Sequence, residues 1–302
     1  MSEPRKFRIG VDLGGTKTEA ILLDAGNTLW RRRTATPSND YAATLRCIMA
    51  LVAEADDLCG EQASVGIGIP GTISPDHGRV KNANSVYLIG QDLKTDLETC
   101  LHRPVRVAND ADCFALSEGT DGAGAGYPTV FGVIIGTGCG GGILVNGTLL
   151  AGPNAIAGEW GHNPLPWRRT EDGPVRKCYC GKQDCLETFL SGPGLTLTDR
   201  YLSGKQRSGE ALSARAAKGD GEASAILAHY ADQLARGLAS VANILDPHAI
   251  VLGGGLSNLP GITDSVGNLL ARYLFSDKVN TAIVRHQHGD SSGVRGAAWL
   301  WR

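Results

Sequence analysis

The chain has 302 residues, of which 42% are apolar and 20% charged, with a formal net charge of -2. That composition supports a packed core in one large domain or two modest ones and is too poor in charge for a solvated disordered chain. The absence of a basic block excludes an electrostatic footprint for nucleic acid, no apolar run approaches the ~18 residues of a membrane helix, and no signal segment opens the chain, so a soluble cytoplasmic protein is expected.

The first segment, "FRIGVDLGGTKTEAILLD", reads as strand, glycine turn, strand, with strand-like runs from Phe7 to Leu13 and from Glu19 to Leu23. It approaches a Walker loop, but that pattern needs Lys directly after the second glycine, and here Thr16 intervenes before Lys17. "YAATLRCIMALVAEAD" has helical spacing, "SVGIGIPG" is a short buried strand, and "VRVANDADCFALSEG" passes from strand into helix at Asn109-Asp110. "TVFGVIIGTGCGGGILVNGTLL" then repeats the opening rhythm. A shift of 122 sets Gly10 on Gly132, Val11 on Val133, Gly14 on Gly136, Ile21 on Ile143 and Leu22 on Leu144, which points to two related halves. Within it, "GTGCGG" matches G-x-G-x-x-G, yet it leads into the strand-like "GILVNG" and not into the helix that a dinucleotide fingerprint must open.

Further on, "EASAILAHYADQLARGLASVANILDP" is a long helix stopped by Pro247, and "AIVLGGG" is a strand ending in glycines. A helical pattern follows from Ile262 to Leu274, and "SSGVRGAAWLW" reads as a last helix capped by Ser291 or Ser292. Strands alternating with helices give an α/β class. Three glycine-rich turns at strand ends stand out: Gly14, Gly15 and Thr16; Thr137 and Gly138; and Gly253 to Gly255. Each alone is a tight turn, but three in a duplicated layout offer backbone amides to a polyphosphate between two domains.

Eight cysteines fall into two groups. Cys47, Cys59, Cys100, Cys113 and Cys139 read as small buried apolar residues under reducing conditions. Cys178, Cys180 and Cys185, spaced C-x-C-x4-C around Gly181, can instead converge with His162 on one tetrahedral ion, a structural zinc. Asp110 sits at a strand end, where a carboxylate serves as a base, but Asn109-Asp110 equally suits a helix cap.

Taken in order, "DLGGTKTEAIL", "GIGIPGTISP", "VANDADC", "GTGCGGGI", "EWGH" with "CYCGKQDCLETF", and "VLGGGLSN" resemble the ROK family of bacterial sugar kinases from about residue 7 to 302. "VKNANS", "GEWGHNPLPW" and "HGDSSGVRGAAWLW" look most like its fructokinase (manno(fructo)kinase) branch. The resemblance implies the actin-like ATPase (ribonuclease H-like) fold, two α/β domains with a cleft between them. The expected division is residues 1–112 with 290–302 as a small domain and 113–289 as a large one carrying the zinc loop. It further implies ATP-dependent phosphorylation of a hexose, foremost D-fructose to fructose 6-phosphate with side activity on mannose. Glucose or an N-acetylated hexosamine is the alternative that uses the same parts. A sugar-responsive repressor of the same family is a third reading, for which the nine residues before Gly10 leave little room.

By the same resemblance Asp110 is the general base, while Asp112 points elsewhere. Asp12, Gly14, Gly15, Thr16, Lys17, Thr137, Gly138, Gly254 and Gly255 would hold ATP and Mg2+, with Asp12 orienting the ion through water or simply capping its turn. Asn84, Asn109, Asp110, Glu159, His162 and Glu187 would hold the sugar, and zinc would bind His162, Cys178, Cys180 and Cys185. A homodimer is expected. The fifteen residues between His162 and Cys178 form a longer insert than many relatives carry and are expected to pass over the pocket.

Overall fold

A computed structural model describes residues 6–37, 39–83 and 85–301. The first half consists of β1 (Phe7–Leu13), β2 (Lys17–Asp24), β3 (Asn27–Ala35), α1 (Tyr41–Cys59), β4 (Ser64–Ile69), the short β5 (Thr72–Ile73) and β6 (Val80–Lys81), α2 (Leu93–Leu101), β7 (Val105–Asn109) and α3 (Asp110–Asp121). The second half runs β8 (Thr129–Ile135), β9 (Cys139–Val145), β10 (Thr148–Leu149), α4 (Glu187–Leu190), α5 (Gly192–Ser203), α6 (Gly209–Ala216), α7 (Gly221–Leu245), β11 (Ala249–Gly253), α8 (Ile262–Leu270), β12 (Ala282–Arg285) and α9 (Ser292–Trp299).

Each half builds one five-stranded sheet, in the orders β3-β2-β1-β4-β7 and β10-β9-β8-β11-β12. In both, the first three strands are antiparallel and the last two continue in parallel. The halves are therefore the same fold drawn twice, and β1 and β8 match at the shift of 122 read from the sequence. The second strands do not. Leu13 pairs with Thr18, but Ile135 pairs with Cys139, so the second turn is one residue shorter. Gly10 thus faces Ile21, while Gly132 faces Gly142 and not Ile143, and the Ile21–Ile143 and Leu22–Leu144 matches are one residue out of register. A slip of one residue sends a side chain to the other face of a sheet.

The last helix of each half crosses to the other. α3 lies on β8 and β9, α9 lies on β1, β2 and β4, and the two helices pack on one another between the sheets. Glycine permits this closeness. A Cβ on Gly10 would sit 2.0 Å from the Val294 carbonyl oxygen of α9, and one on Gly132 would sit 2.7 Å from Ala115 Cα of α3. The matched glycines of the repeat are the places where each sheet receives the helix of its partner.

Outside this shared layer, α1 and α2 cover the first sheet with Ile48, Val52, Leu93 and Leu97. The second sheet buries Phe131, Val133, Ile250 and Leu252 against the faces of α4 to α8 that carry Phe189, Leu195, Tyr230, Leu234 and Val266. Each such side chain contributes about 1.5–3 kcal/mol when fully buried. α7 begins where Asp220 accepts from Glu222 N and Ala223 N, and it ends at Asp246 in the left-handed conformation before Pro247. Two local expectations need correction. The helix from Ile262 stops at Leu270, short of Leu274. α9 begins at Ser292, yet Ser291 gives it no side-chain cap, and the Ser292 hydroxyl donates to Glu118 instead, at 2.7 Å. No helix among the described residues is long and apolar enough to cross a membrane.

Candidate active site

β7 ends and α3 begins at Asn109-Asp110. Asn109 Oδ1 accepts from Ala111 N at 2.8 Å, capping α3, and its Nδ2 donates to the Gly71 carbonyl at 3.1 Å. Asp110 Oδ1 also accepts from Ala111 N at 2.8 Å. The helix-cap and site readings of this pair are thus compatible: the cap fixes where the neighbouring carboxyl stands. Burial pushes the Asp110 carboxyl above its ordinary value, and Glu159 adds to this, while the bond from Ala111 N opposes it. Asp12, which stands opposite Glu19 and Gly68 on adjacent strands, is pushed up to about 7 by burial and then by Asp110 and Glu19, with Arg33 opposing. Glu19 itself is held by Arg31 and Arg33, the latter through Nε at 2.8 Å.

A cavity of about 290 Å³ is lined by Asn109, Asp110, Thr137, Gly138, Glu159, His162 and Glu187. Five of the six residues assigned to the sugar therefore meet at one place, and the sixth, Asn84, lies outside the described residues. Glu187 Oε2 accepts from Cys139 N at 2.9 Å, so this acid also holds the start of β9 under the Thr137-Gly138 turn. The sequence reading missed Gly71, Asn82 and Tyr179, which line the same cavity. Tyr179 lies inside the cysteine cluster itself, and Gly71 ends the quoted "GIPG", so both were near a signal that spacing alone did not interpret.

The three glycine turns are not equally placed. In the first, Gly14 N donates to the Lys17 carbonyl at 3.0 Å, Thr36 Oγ1 donates to the Gly14 carbonyl at 2.8 Å, and Lys17 is exposed. In the second, Gly136 N donates to the Gly138 carbonyl at 3.0 Å, and Gly192 N, opening α5, donates to the Gly136 carbonyl at 2.7 Å. The third adjoins the second: Gly254 has a φ of +80°, and a Cβ there would lie 2.5 Å from the Ile135 carbonyl oxygen, so only glycine fits. Thr137 and Gly138 line the cavity, whereas Gly14, Gly15, Thr16, Lys17, Gly254 and Gly255 do not.

His162, Cys178, Cys180 and Cys185 bring one ligand atom each to within 4.8 Å of one another. Cys178 Sγ is 3.6 Å from His162 Nδ1, and Cys180 Sγ is 3.6 Å from Cys185 Sγ. A tetrahedral zinc with Zn–S bonds of about 2.3 Å spaces its ligands by about 3.8 Å, so the donor set and its spacing fit that ion. The other His162 nitrogen, Nε2, is 3.1 Å from the Tyr179 hydroxyl. Gly181, at a φ of +87°, turns the loop, and Cys178 N donates to the Lys182 carbonyl at 2.9 Å. Of the remaining cysteines, Cys113 and Cys139 are buried as expected, while Cys47, Cys59 and Cys100 are only partly so.

None of residues 163–177, the insert between His162 and Cys178, lines the cavity around Asp110, but its end, Pro174 to Lys177, lines an adjoining one of about 710 Å³ together with Thr137, Tyr179 and Glu187, which border both. The insert is drawn down onto α7. The fully buried Arg236 donates to the carbonyls of Pro166 and Trp167 at 3.1 and 3.0 Å and to both oxygens of the equally buried Asp172. Burial opposes ionisation of Asp172, but bonds from His229, Arg236, Arg169 N and Gln233 outweigh it and hold the carboxyl well below its ordinary range. The insert is a brace for the loop that carries Cys178, Cys180 and Cys185.

The family model described as the ROK family matches residues 8–302. An N-acetyl-D-glucosamine kinase of Escherichia coli O139:H28 (strain E24377A / ETEC) is 42% identical over 296 residues, covering 96% of this chain and 98% of its own. The crystal structure of a ROK hexokinase from Thermus thermophilus resembles this one with a TM-score of 0.86 and 29% identity, covering 98% of this chain and 97% of that one. A ROK family glucokinase from Streptomyces griseus, solved in complex with glucose and AMPPNP, has a TM-score of 0.76 and 31% identity, with coverage of 98% and 99%.

Proposed function

The chain belongs to the ROK family, and from that premise we propose that it transfers the terminal phosphoryl group of ATP to a hydroxyl of N-acetyl-D-glucosamine. The relative at 42% identity favours this N-acetylated alternative over D-fructose, which led the sequence reading. The observation that carries the proposal is the meeting of Asp110 with Glu159, His162 and Glu187 around a cavity bordered by the Thr137-Gly138 turn.

In this reading Asp110 accepts the proton of the attacking hydroxyl. Its position at the end of a strand and under a capped helix fixes the carboxyl within reach, and its raised pKa makes it a better base than an exposed carboxylate. Glu159 and Glu187 accept hydrogen bonds from sugar hydroxyls, and His162 Nε2, now shared with Tyr179, donates one. Backbone amides of the Thr137-Gly138 and Gly254-Gly255 turns and of Gly15 and Thr16, together with Lys17, hold the phosphates, while Gly14 closes its turn through the Lys17 carbonyl. Mg2+, bound with ATP, supplies positive charge to the transferring group, and Asp12 is the carboxyl that would hold its water shell. Zinc on His162 and the three thiolates would use four protein ligands, so it stiffens the loop and takes no part in transfer. The lobes divide as residues 1–112 with 290–302 and residues 113–289.

The proposal is tested by a panel of N-acetyl-D-glucosamine, N-acetyl-D-mannosamine, D-glucose and D-fructose, each with MgATP. N-acetyl-D-glucosamine is expected to lead in kcat/KM by at least an order of magnitude; fructose equal to it or ahead would overturn the assignment.

A further inference from the structure

Beside the cavity that holds Asp110 lies a larger one of about 730 Å³. Asn109, Gly141 and Glu159 border both, so the two cavities adjoin. Asp112 lines only the second. It stands on the first turn of α3, two residues beyond the proposed base, and is half-buried. Its carboxyl makes no hydrogen bond to any described residue, and nothing in the proposed transfer uses it. Burial, then Glu159 and Asp110, push its carboxyl up to about 7, so an O–H is available there near neutral pH. Leu149, Ala155 and Ala157 give the same cavity small apolar walls.

A polar group that can donate to a carbonyl, next to the apolar side chains of Leu149, Ala155 and Ala157 and beside a ring-sized cavity, describes a seat for an amide with a short tail. We infer that the acylamino arm of a 2-acylamino-hexose occupies this second cavity, its carbonyl toward Asp112 and its alkyl end against Ala157 and Leu149. The inference rests on the proposed function and adds a specificity site to it. Asp112 donates to the acyl oxygen, Ala157 sets the width of the passage beside Glu159, and the volume beyond leaves room for acyl groups longer than acetyl.

The test compares N-acetyl-D-glucosamine with D-glucose, each with MgATP, in the full-length wild type and in Asp112→Ala, Asp112→Asn and Ala157→Leu. The ratio of kcat/KM for the two sugars is expected to fall at least tenfold in Asp112→Ala and Ala157→Leu, chiefly through KM. Asp112→Asn, whose amide can still donate, should retain most of the ratio. N-propanoyl- and N-butanoyl-glucosamine should be accepted by the wild type within tenfold of the acetyl sugar, and progressively less by Ala157→Leu. A wild type that does not favour N-acetyl-D-glucosamine overturns the proposed function and this inference with it. A preference that survives both Asp112→Ala and Ala157→Leu within twofold overturns this inference alone, as does a wild type that rejects the propanoyl sugar by a hundredfold.

Discussion

In the proposed transfer Asp110 is the base, and the hydrogen bonds of Asn109 and Ala111 beside it explain why replacing it should be separable from folding. Asn109 caps α3 independently, so Asp110→Asn keeps the helix start and removes only the proton acceptor. Turnover is expected to fall by about 10²–10⁴-fold, with the thermal midpoint unchanged or raised, because a desolvated carboxyl has been exchanged for a neutral amide. Near-normal kcat in this variant would remove Asp110 from the mechanism. Its raised pKa also has a readable consequence: the base must be ionised to act, so kcat/KM should climb with pH through a value above the ordinary 3.8 and level off beyond it. At this scale the sequence located Asp110 at the junction of strand and helix but said little of its surroundings. "AND" marks Asp110 through its place at a strand end, whereas the rise in Asp112 depends first on its burial and then on Glu159, both of which only the fold supplies.

At the scale of elements, the proposed zinc loop, Cys178 to Cys185 with His162, has the clearest consequence. His162 and Glu187 flank it and both line the cavity, so a metal that fixes the three thiols would also fix two walls of the proposed sugar site. Removing the ion from a zinc-loaded preparation with a chelator is expected to release about one zinc per chain and to lower the thermal midpoint, since metal binding is linked to folding. The KM for sugar should rise more than kcat falls. A preparation without zinc that melts at the same temperature would refute the clasp, whatever its activity. The cysteine spacing made this loop legible; the brace behind it was not, because Asp172 and Arg236 are far apart in the chain and each reads as an ordinary surface charge. Glycines show the same division. Gly10 and Gly132 were visible as a repeat, but their reason, the carbonyl of Val294 and the backbone of Ala115 against them, lies in helices from the opposite half. The one-residue difference between the two hairpin turns escaped the alignment because a glycine-rich turn tolerates either length.

For the molecule as a whole, the duplicated α/β plan was legible, and the exchange of α3 and α9 between the sheets was not. That exchange depends on a joint formed around a single buried acid. Glu118 on α3 accepts from Gln287 N at 2.9 Å and from His288 N at 3.0 Å, both leading into α9, and from the Ser292 hydroxyl. Beside it, Asp121 accepts from Arg295 and, at 3.2 Å, from Trp299 Nε1. Burial works against ionising Glu118, but these bonds and one from Ala123 N prevail, and its carboxyl lies below its ordinary value. A carboxyl lowered in this way adds stability that is present above its unfolded pKa and lost as pH falls through the folded one. Glu118→Gln preserves shape but gives one oxygen fewer to accept with, and turns an NH2 donor either toward the amides of Gln287 and Ala123 or toward the His288 amide and the Ser292 hydroxyl. The cost should be about 1.5–3 kcal/mol at neutral pH, the range for hydrogen bonds to a charged group. Because both lobes share this joint, the loss should appear as a lower midpoint of the main unfolding transition in urea. The gap between wild type and variant should narrow below pH 4, as the wild-type carboxyl takes up its proton. A gap that stays constant from pH 7 to pH 3 would show that the charge of Glu118 does not hold α3 and α9 together.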